Sequence, residues 1–291
     1  MINILNETTL RIKDLTETPS LDAQVLLAHI SGKNRSWVIS HPELVLNSEQ
    51  LNRLSVALEQ IKSGVPLPYI IGKWEFYGLE LVISKDVLIP RPETELLIDK
   101  ALEWLNVNPH RHRLIDMGTG SGCIAVVLAV NVPDLLGVAT DISHNALKIA
   151  RQNAEKFNVV GRIELLYGNL WEAFKIKEGD SISLQTKLSS FRADLITANL
   201  PYIPTSILHG LKVYSREPVL ALDGGEDGMN LIGQFLKKAS LFLMPKGLIL
   251  VELESSLGLT AKTLAEQHFP AAEILLHQDL SGNDRILEIR S

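Results

Sequence analysis

Two periodicities divide the chain. Up to about residue 64 apolar side chains recur three to six positions apart: Leu10, Leu15, Leu21, Val25 and Ala28, then Leu51, Leu54, Leu58 and Ile61. Spacing of this kind predicts helices with one apolar face. Pro19 and Ser20 are expected to separate the first two segments. Asn47, with Gln50 three residues later, reads as a capping pair ahead of the longer helix. Gly64-Val-Pro-Leu-Pro68 then punctuates the chain, and Trp74-Glu-Phe-Tyr77 and Leu79-Glu-Leu-Val-Ile83 flank Gly78 as a predicted β-hairpin. Glu93-Thr-Glu95 opens a helical pattern carrying Leu97, Ala101, Trp104 and Leu105. From 114 onwards short apolar runs at 114–117, 136–140, 163–167 and 194–198 alternate with helical patterns, among them 124–130 and 146–157, the latter with Ser143 as N-cap. That alternation predicts a parallel sheet with helices on both faces. A helix at 231–243 and runs at 248–253, 274–277 and 286–289 complete it, the last two as an antiparallel edge. Residues 175–190 are polar without a period and read as a surface loop. The expected organisation is a helical bundle over 1–64, a hairpin linker over 65–89 and an α/β domain over 90–291.

Composition narrows the function classes. A net charge of −6 argues against a protein whose main work is gripping a phosphate backbone. The one cysteine, Cys123, allows no internal disulfide and suits a reducing compartment; packing explains its place after the glycines better than chemistry does. His29 and His41 lack partners at ligand spacing, so no metal is expected. No apolar run reaches membrane-spanning length, and the first ten residues lack a secretory pattern. A cytoplasmic protein is the expectation, with an organellar one after loss of a transit peptide as the alternative.

Chemistry concentrates at two predicted strand ends. The run 195–198 stops at Asn199-Leu-Pro-Tyr202, where two prolines, Pro201 and Pro204, forbid continuation and hold Leu200 extended. A planar amide (Asn199), a stiffly aimed carbonyl (Leu200) and a flat ring (Tyr202) suit a flat, polar, uncharged group. Of an entering NH2, one N–H can go to Asn199 Oδ1 and the other to the Leu200 carbonyl. A proline-rich turn is the plain alternative. The second stretch is Asp116-Met-Gly118-Thr-Gly120-Ser-Gly122, a strand running into a Gly-x-Gly-x-Gly turn. The third glycine of a dinucleotide fingerprint is missing, since position 123 is Cys123, and no Gly-Lys-Ser/Thr follows for a P-loop. The turn suits S-adenosylmethionine, with Asp116 or its neighbours meeting the ammonium of its amino-acid end. Asp141, closing the next strand, stands where an acidic residue takes ribose hydroxyls.

With these residues in hand, the chain resembles the release factor glutamine methyltransferases (the PrmC or HemK family) over nearly its whole length. The shared stretches are Val87-Leu-Ile-Pro-Arg-Pro-Glu-Thr-Glu95, 116–125, Asp141-Ile-Ser, 199–202, Arg216-Glu-Pro-Val-Leu-Ala-Leu-Asp-Gly-Gly-Glu-Asp-Gly228 and Asp279-Leu-Ser-Gly-Asn-Asp-Arg285. The resemblance implies a Rossmann-like class I methyltransferase sheet behind an N-terminal helical bundle that helps hold the protein substrate. It also implies that the Arg91–Glu95 turn lies beside the active site. It assigns Gly118, Thr119, Gly120, Ser121, Gly122, Asp141, Asn169, Leu170 and Asn199 to the cofactor, S-adenosylmethionine, which leaves as S-adenosylhomocysteine. Asn199, Leu200, Pro201 and Tyr202 fall to substrate and catalysis. The implied substrate is the glutamine of the Gly-Gly-Gln loop in class I peptide-chain release factors, methylated at N5 by a monomer that needs no nucleic acid, membrane or metal. The chain departs from the pattern twice. Leu200 replaces the first proline of Asn-Pro-Pro-Tyr, and Asn169 stands where an Asp is usual. Exocyclic adenine N6 and cytosine N4 fit the same pocket geometry, so a DNA or RNA amino-methyltransferase is the rival reading; it would need base flipping or a single strand. A non-catalytic binding protein is a third, against which the glycines, Asp141 and Asn199 are all intact.

Overall fold

A computed structural model describes residues 3–175 and 191–291, so nearly all of the polar stretch 175–190 lies outside the described residues. The chain forms two compact units, one ending at Lys73 and the other Trp74–Ser291. The sequence reading closed the bundle at 64; the first unit runs on to Lys73.

The first unit is helical throughout: α1 (Ile4–Ile12), α2 (Pro19–Ser31), α3 (Arg35–Ser40), α4 (Ser48–Lys62) and α5 (Leu67–Ile71). Asparagine starts three of these. Asn3 and Asn34 accept from the N–H groups of Asn6 and Trp37 at 2.8 and 2.7 Å. Asn47 and Gln50 form the expected reciprocal box, each side chain accepting the other's backbone N–H. The early apolar stripe, however, was misplaced. Leu10, Leu15, Leu21 and Leu51 are exposed, while Ile12, Ala23, Leu26, Leu27 and Ile30 are buried with Leu54, Leu58 and Ile61. The run from Leu10 to Leu21 spans the break after α1, so its spacing follows no single helix. Pro19 does not separate two helices either; it sits at the first turn of α2, where its missing N–H costs nothing.

The hairpin β1 (Lys73–Phe76) and β2 (Leu79–Val82), whose first residue closes the first unit, opens the second; Tyr77 and Gly78 close it, both with positive φ, as a two-residue turn of matching twist requires. Helix α6 (Glu93–Val107) follows, then β3 (Arg113–Met117), α7 (Cys123–Asn131), β4 (Leu136–Asp141), α8 (His144–Lys156), β5 (Ile163–Tyr167), β6 (Ala193–Ala198), the single turn α9 (Thr205–Leu208), α10 (Asn230–Phe242), β7 (Leu243–Glu252), α11 (Gly258–His268), β8 (Glu273–Gln278) and β9 (Asp284–Arg290). The strands make one sheet in the order β5-β4-β3-β6-β7-β9-β8, parallel except for β9, which runs antiparallel to both neighbours. Alternate residues (Ile115, Met117, Ile196, Ala198, Ile249, Val251) join side chains of α10 and α11 in one core. Those between them, including Leu114, Leu195, Leu248 and Leu250, are equally buried and face the other way, towards the side that α6 to α8 cover. This is the expected α/β architecture, with the antiparallel edge where the sequence put it.

Candidate active site

Strand order reverses between β3 and β6, and in an open α/β sheet the crevice beyond the carboxyl ends at such a point is where ligands bind. Met117 pairs with Ala198, so the glycine turn and the Asn199 turn leave the sheet side by side. β4 ends on Asp141, which pairs with Tyr167 of β5. One cavity collects these strand ends. Gly118, Thr119, Gly120, Ser121, Asp141, Asn169, Leu170, Asn199, Leu200 and Pro201 all line it; Gly122 and Tyr202 do not.

At Gly118 φ is +73°, and a Cβ would lie 3.1 Å from Leu200 Cδ2 and 3.6 Å from the Asn199 carbonyl oxygen, so only glycine lets the two turns touch. Gly120 has open space where a side chain would stand. Gly122 instead abuts Ala150 and lets α7 pack on α8. Asp116 departs from expectation. It is wholly buried, its oxygens accepting from Thr119 Oγ1 at 2.6 Å and Thr197 Oγ1 at 2.9 Å, and it does not line the cavity. Burial pushes its carboxyl up to about 6 despite those bonds. It braces the turn from beneath.

Asp141 does reach the cavity. Oδ2 accepts from Gly120 N–H at 2.9 Å and Oδ1 from Ser143 N–H at 2.8 Å. Burial raises its pKa, and these backbone bonds work against that rise. Each oxygen keeps a lone pair for a hydroxyl, so glycine turn and carboxylate together fit a ribose joined to an amino-acid tail. Asn169 and Leu170 follow β5 at the entrance to a 3-10 turn, with Leu170 at φ 46°. Burial pushes the Cys123 thiol up to about 12, so its reactive thiolate is disfavoured.

The Asn199 amide is oriented by α6: Nδ2 donates to Thr94 Oγ1 at 3.2 Å, which leaves Oδ1 as an acceptor without a hydrogen-bond donor among the described residues. Leu200 is buried, and Tyr202 is half-buried against the core with its hydroxyl 3.5 Å from Glu252 Oε1. Sequence reasoning missed four supports of this site. Thr94 and Glu252 are two. Glu217 is the third: it accepts from Ile89 N–H at 3.1 Å and pairs with Arg91, a cavity residue. The fourth is the loop 223–228. Gly224 N–H donates to the Ile203 carbonyl at 2.8 Å and Ile203 N–H to the Leu222 carbonyl at 3.0 Å. A Cβ on Gly228 (φ +79°) would stand 2.3 Å from the Tyr202 carbonyl oxygen, so the loop clamps that backbone. Glu217 and the glycines lie within the stretch 216–228, and Thr94 within 87–95, whose resemblance was noted; Glu252 gave no signal of this kind. Asn153 was missed as well. Its buried amide bonds Val82 on both sides and the Ser121 carbonyl, tying the hairpin to the glycine turn.

Among the described residues no group of three or more His, Cys, Asp or Glu is placed to hold a metal ion, and no helix is long and apolar enough to cross a membrane. Two family models match the chain: "PrmC N-terminal domain" over residues 3–72 and "Methyltransferase small domain" over 92–183. A release factor glutamine methyltransferase of Moorella thermoacetica is 36% identical over 92% of this chain and 90% of its own length. Its counterpart in Bacillus subtilis is 35% identical over 91% and 89%. Among solved structures, a Pyrococcus furiosus methyltransferase aligns with TM-score 0.50 at 17% identity over 84% of this chain and 98% of that one, a likeness of fold.

Proposed function

The chain belongs to the release factor glutamine methyltransferase family, and on that premise we propose that Asn199 and the Leu200 carbonyl hold the glutamine amide during methyl transfer. The protein is an S-adenosylmethionine-dependent methyltransferase that methylates a release-factor glutamine. In the finer reading the target is N5 of the glutamine in the Gly-Gly-Gln loop of class I release factors. The glycine turn 118–122, Asp141 and the Asn169-Leu170 turn hold the cofactor, and the helical unit docks the protein substrate. The enzyme acts as a monomer in the cytoplasm.

The cofactor supplies a methyl group already activated on a sulfonium. A carboxamide nitrogen is a poor nucleophile because its lone pair is shared with the carbonyl. Asn199 Oδ1 and the Leu200 carbonyl accept its two N–H groups, enrich the nitrogen and fix the amide plane for in-line attack. Orientation of this kind can supply up to roughly 7–11 kcal/mol of barrier reduction. Once methylated, the nitrogen loses a proton readily, so no strong base need act first. The observation that carries the reading is the polarity of Asn199, whose nitrogen is engaged by Thr94 and whose oxygen is not. Adenine N6 or cytosine N4 is disfavoured by the net charge of −6 and by the relatives' activity.

The test is mass spectrometry of a release factor incubated with the protein and labelled S-adenosylmethionine. One added methyl on the Gly-Gly-Gln glutamine is expected, and none on DNA or RNA in a parallel reaction. Label on nucleic acid and not on the release factor would overturn the reading.

A further inference from the structure

Asn199 accepts from an incoming amide only if its oxygen, and not its nitrogen, faces the substrate. The two ends of a carboxamide are nearly the same shape, so something must choose between them. Nδ2 donates to Thr94 Oγ1 at 3.2 Å, and a hydroxyl that accepts there has its own hydrogen to give elsewhere. Glu252, the last residue of β7, is 1% exposed, and the side chains of Thr94 and Asn199 both approach its carboxyl and favour its charged form. The Tyr202 hydroxyl donates to Oε1 at 3.5 Å, while Oε2 has no partner of full hydrogen-bond geometry among the described residues. A carboxylate can only accept. Facing one, the Thr94 hydroxyl is turned to donate, so it can only accept from Asn199, and the amide must present its nitrogen to Thr94 and its oxygen to the cavity.

We propose that Glu252 is a positioning residue for the methyl transfer, acting through Thr94 to fix which end of the Asn199 amide meets the glutamine and through Tyr202 to steady the same turn. This rests on Asn199 being the amide acceptor, as read above.

The relay depends on charge. A protonated Glu252 donates to Thr94, whose hydrogen is then free for Asn199 Oδ1, and the amide turns its NH2 towards the substrate's own N–H groups. The charged and titratable groups facing Glu252 are Glu93 of α6, Arg285 of β9, Tyr202 after β6 and Cys123 of α7. Burial, joined by the Glu93 carboxylate, disfavours the charged form and outweighs Thr94, Arg285 and Asn199, which favour it, and so pushes the carboxyl up to about 7. The transfer rate should therefore climb with pH through neutrality.

The experiment measures single-turnover methylation of release factor by the full chain, with S-adenosylmethionine affinity taken by calorimetry. Glu252→Gln keeps the volume but can donate as well as accept. It should slow transfer about tenfold, leave cofactor affinity within about twofold and abolish the rise with pH. Thr94→Val should slow transfer similarly, and Thr94→Ser should restore it to within about twofold of the unsubstituted protein. In an Asn199→Ala background, Glu252→Gln should lose most of its effect, keeping only what passes through Tyr202. The inference is overturned if Glu252→Gln keeps the original rate and pH profile, or if its full loss persists without Asn199. If Glu252→Gln does not fold, the Thr94 pair decides, and equally slow Val and Ser variants overturn it. An unsubstituted protein that leaves release factor unmethylated would overturn the functional reading and this inference together, whereas active protein indifferent to these substitutions overturns this inference alone.

Discussion

Asp141 both receives the Gly120 and Ser143 N–H groups and lines the cavity, so Asp141→Ala should weaken S-adenosylmethionine binding tenfold or more in calorimetry on a folded protein. A lost charge-assisted bond costs about 1.5–3 kcal/mol. The Leu200 departure can be tested as directly. Its N–H donates no backbone bond among the described residues, so Leu200→Pro keeps the carbonyl and removes only side-chain packing against Gly118 and the core. Turnover should stay within a few fold while Asn199→Ala falls far lower; the reverse order would mean that the side chain, and not the carbonyl, shapes the substrate site. Glu252 also predicts a pH dependence of stability. Its carboxyl titrates near 7 when folded against 4.5 ordinarily, so the folded state holds a proton that the unfolded state has lost between those values. Stability contributed by that proton is intact below 4.5 and is lost as pH rises towards 7, by roughly 3 kcal/mol if the whole gap is expressed. Denaturant titration of Glu252→Gln should show a shallower decline from pH 5 to 7.5 than the unsubstituted protein. Asn199 and the glycines were legible because their neighbours in sequence are their neighbours in space. Glu252 was not, because its partners come from α6 and the β6 turn, Tyr202 alone lying 50 residues away.

At the scale of elements, strands read more reliably than helical faces. Each run from 114–117 to 286–289 falls on a strand, 248–253 overrunning β7 by one residue, because a parallel sheet buried on both faces needs continuous apolar segments that few other elements produce. The bundle's stripe failed where spacing was carried across the end of α1, which nothing in Lys13 to Thr18 marked clearly. The loop 223–228 was legible as part of a shared stretch but not as a clamp, since the backbone it holds belongs to 202–205. Two glycine substitutions separate these ideas. Gly32, at the left-handed end of α2, has nothing within 4 Å of a Cβ, so Gly32→Ala should cost only about 1–2 kcal/mol of conformational strain. Gly228→Ala adds a collision with the Tyr202 carbonyl and should cost roughly 3 kcal/mol or more. Molecules that stay folded should also turn over more slowly with cofactor affinity little changed. Equal melting shifts for the two variants would remove the clamp.

The molecule as a whole separates local from distant contacts. Every cavity residue belongs to the second unit. A chain starting at Trp74 should therefore bind S-adenosylmethionine normally while its Michaelis constant for intact release factor rises far more than for a short glutamine peptide. Equal losses on both substrates would count against a docking role for the helical unit. The order of the units also has a consequence for synthesis. The first is built from neighbouring helices and can form as soon as it leaves the ribosome, since low contact order favours rapid folding. In the second, β3 pairs with β6, the Thr197 side chain reaching the Ile115 carbonyl across 82 residues. At about 5–20 residues per second, β3 waits on the order of 5–15 s for that partner. Throughout that interval the strand that ends in the glycine turn has one edge unpaired, an open template for any other extended chain nearby. Slower elongation between 118 and 193 should lengthen the wait and lower the yield of active enzyme without changing a single residue.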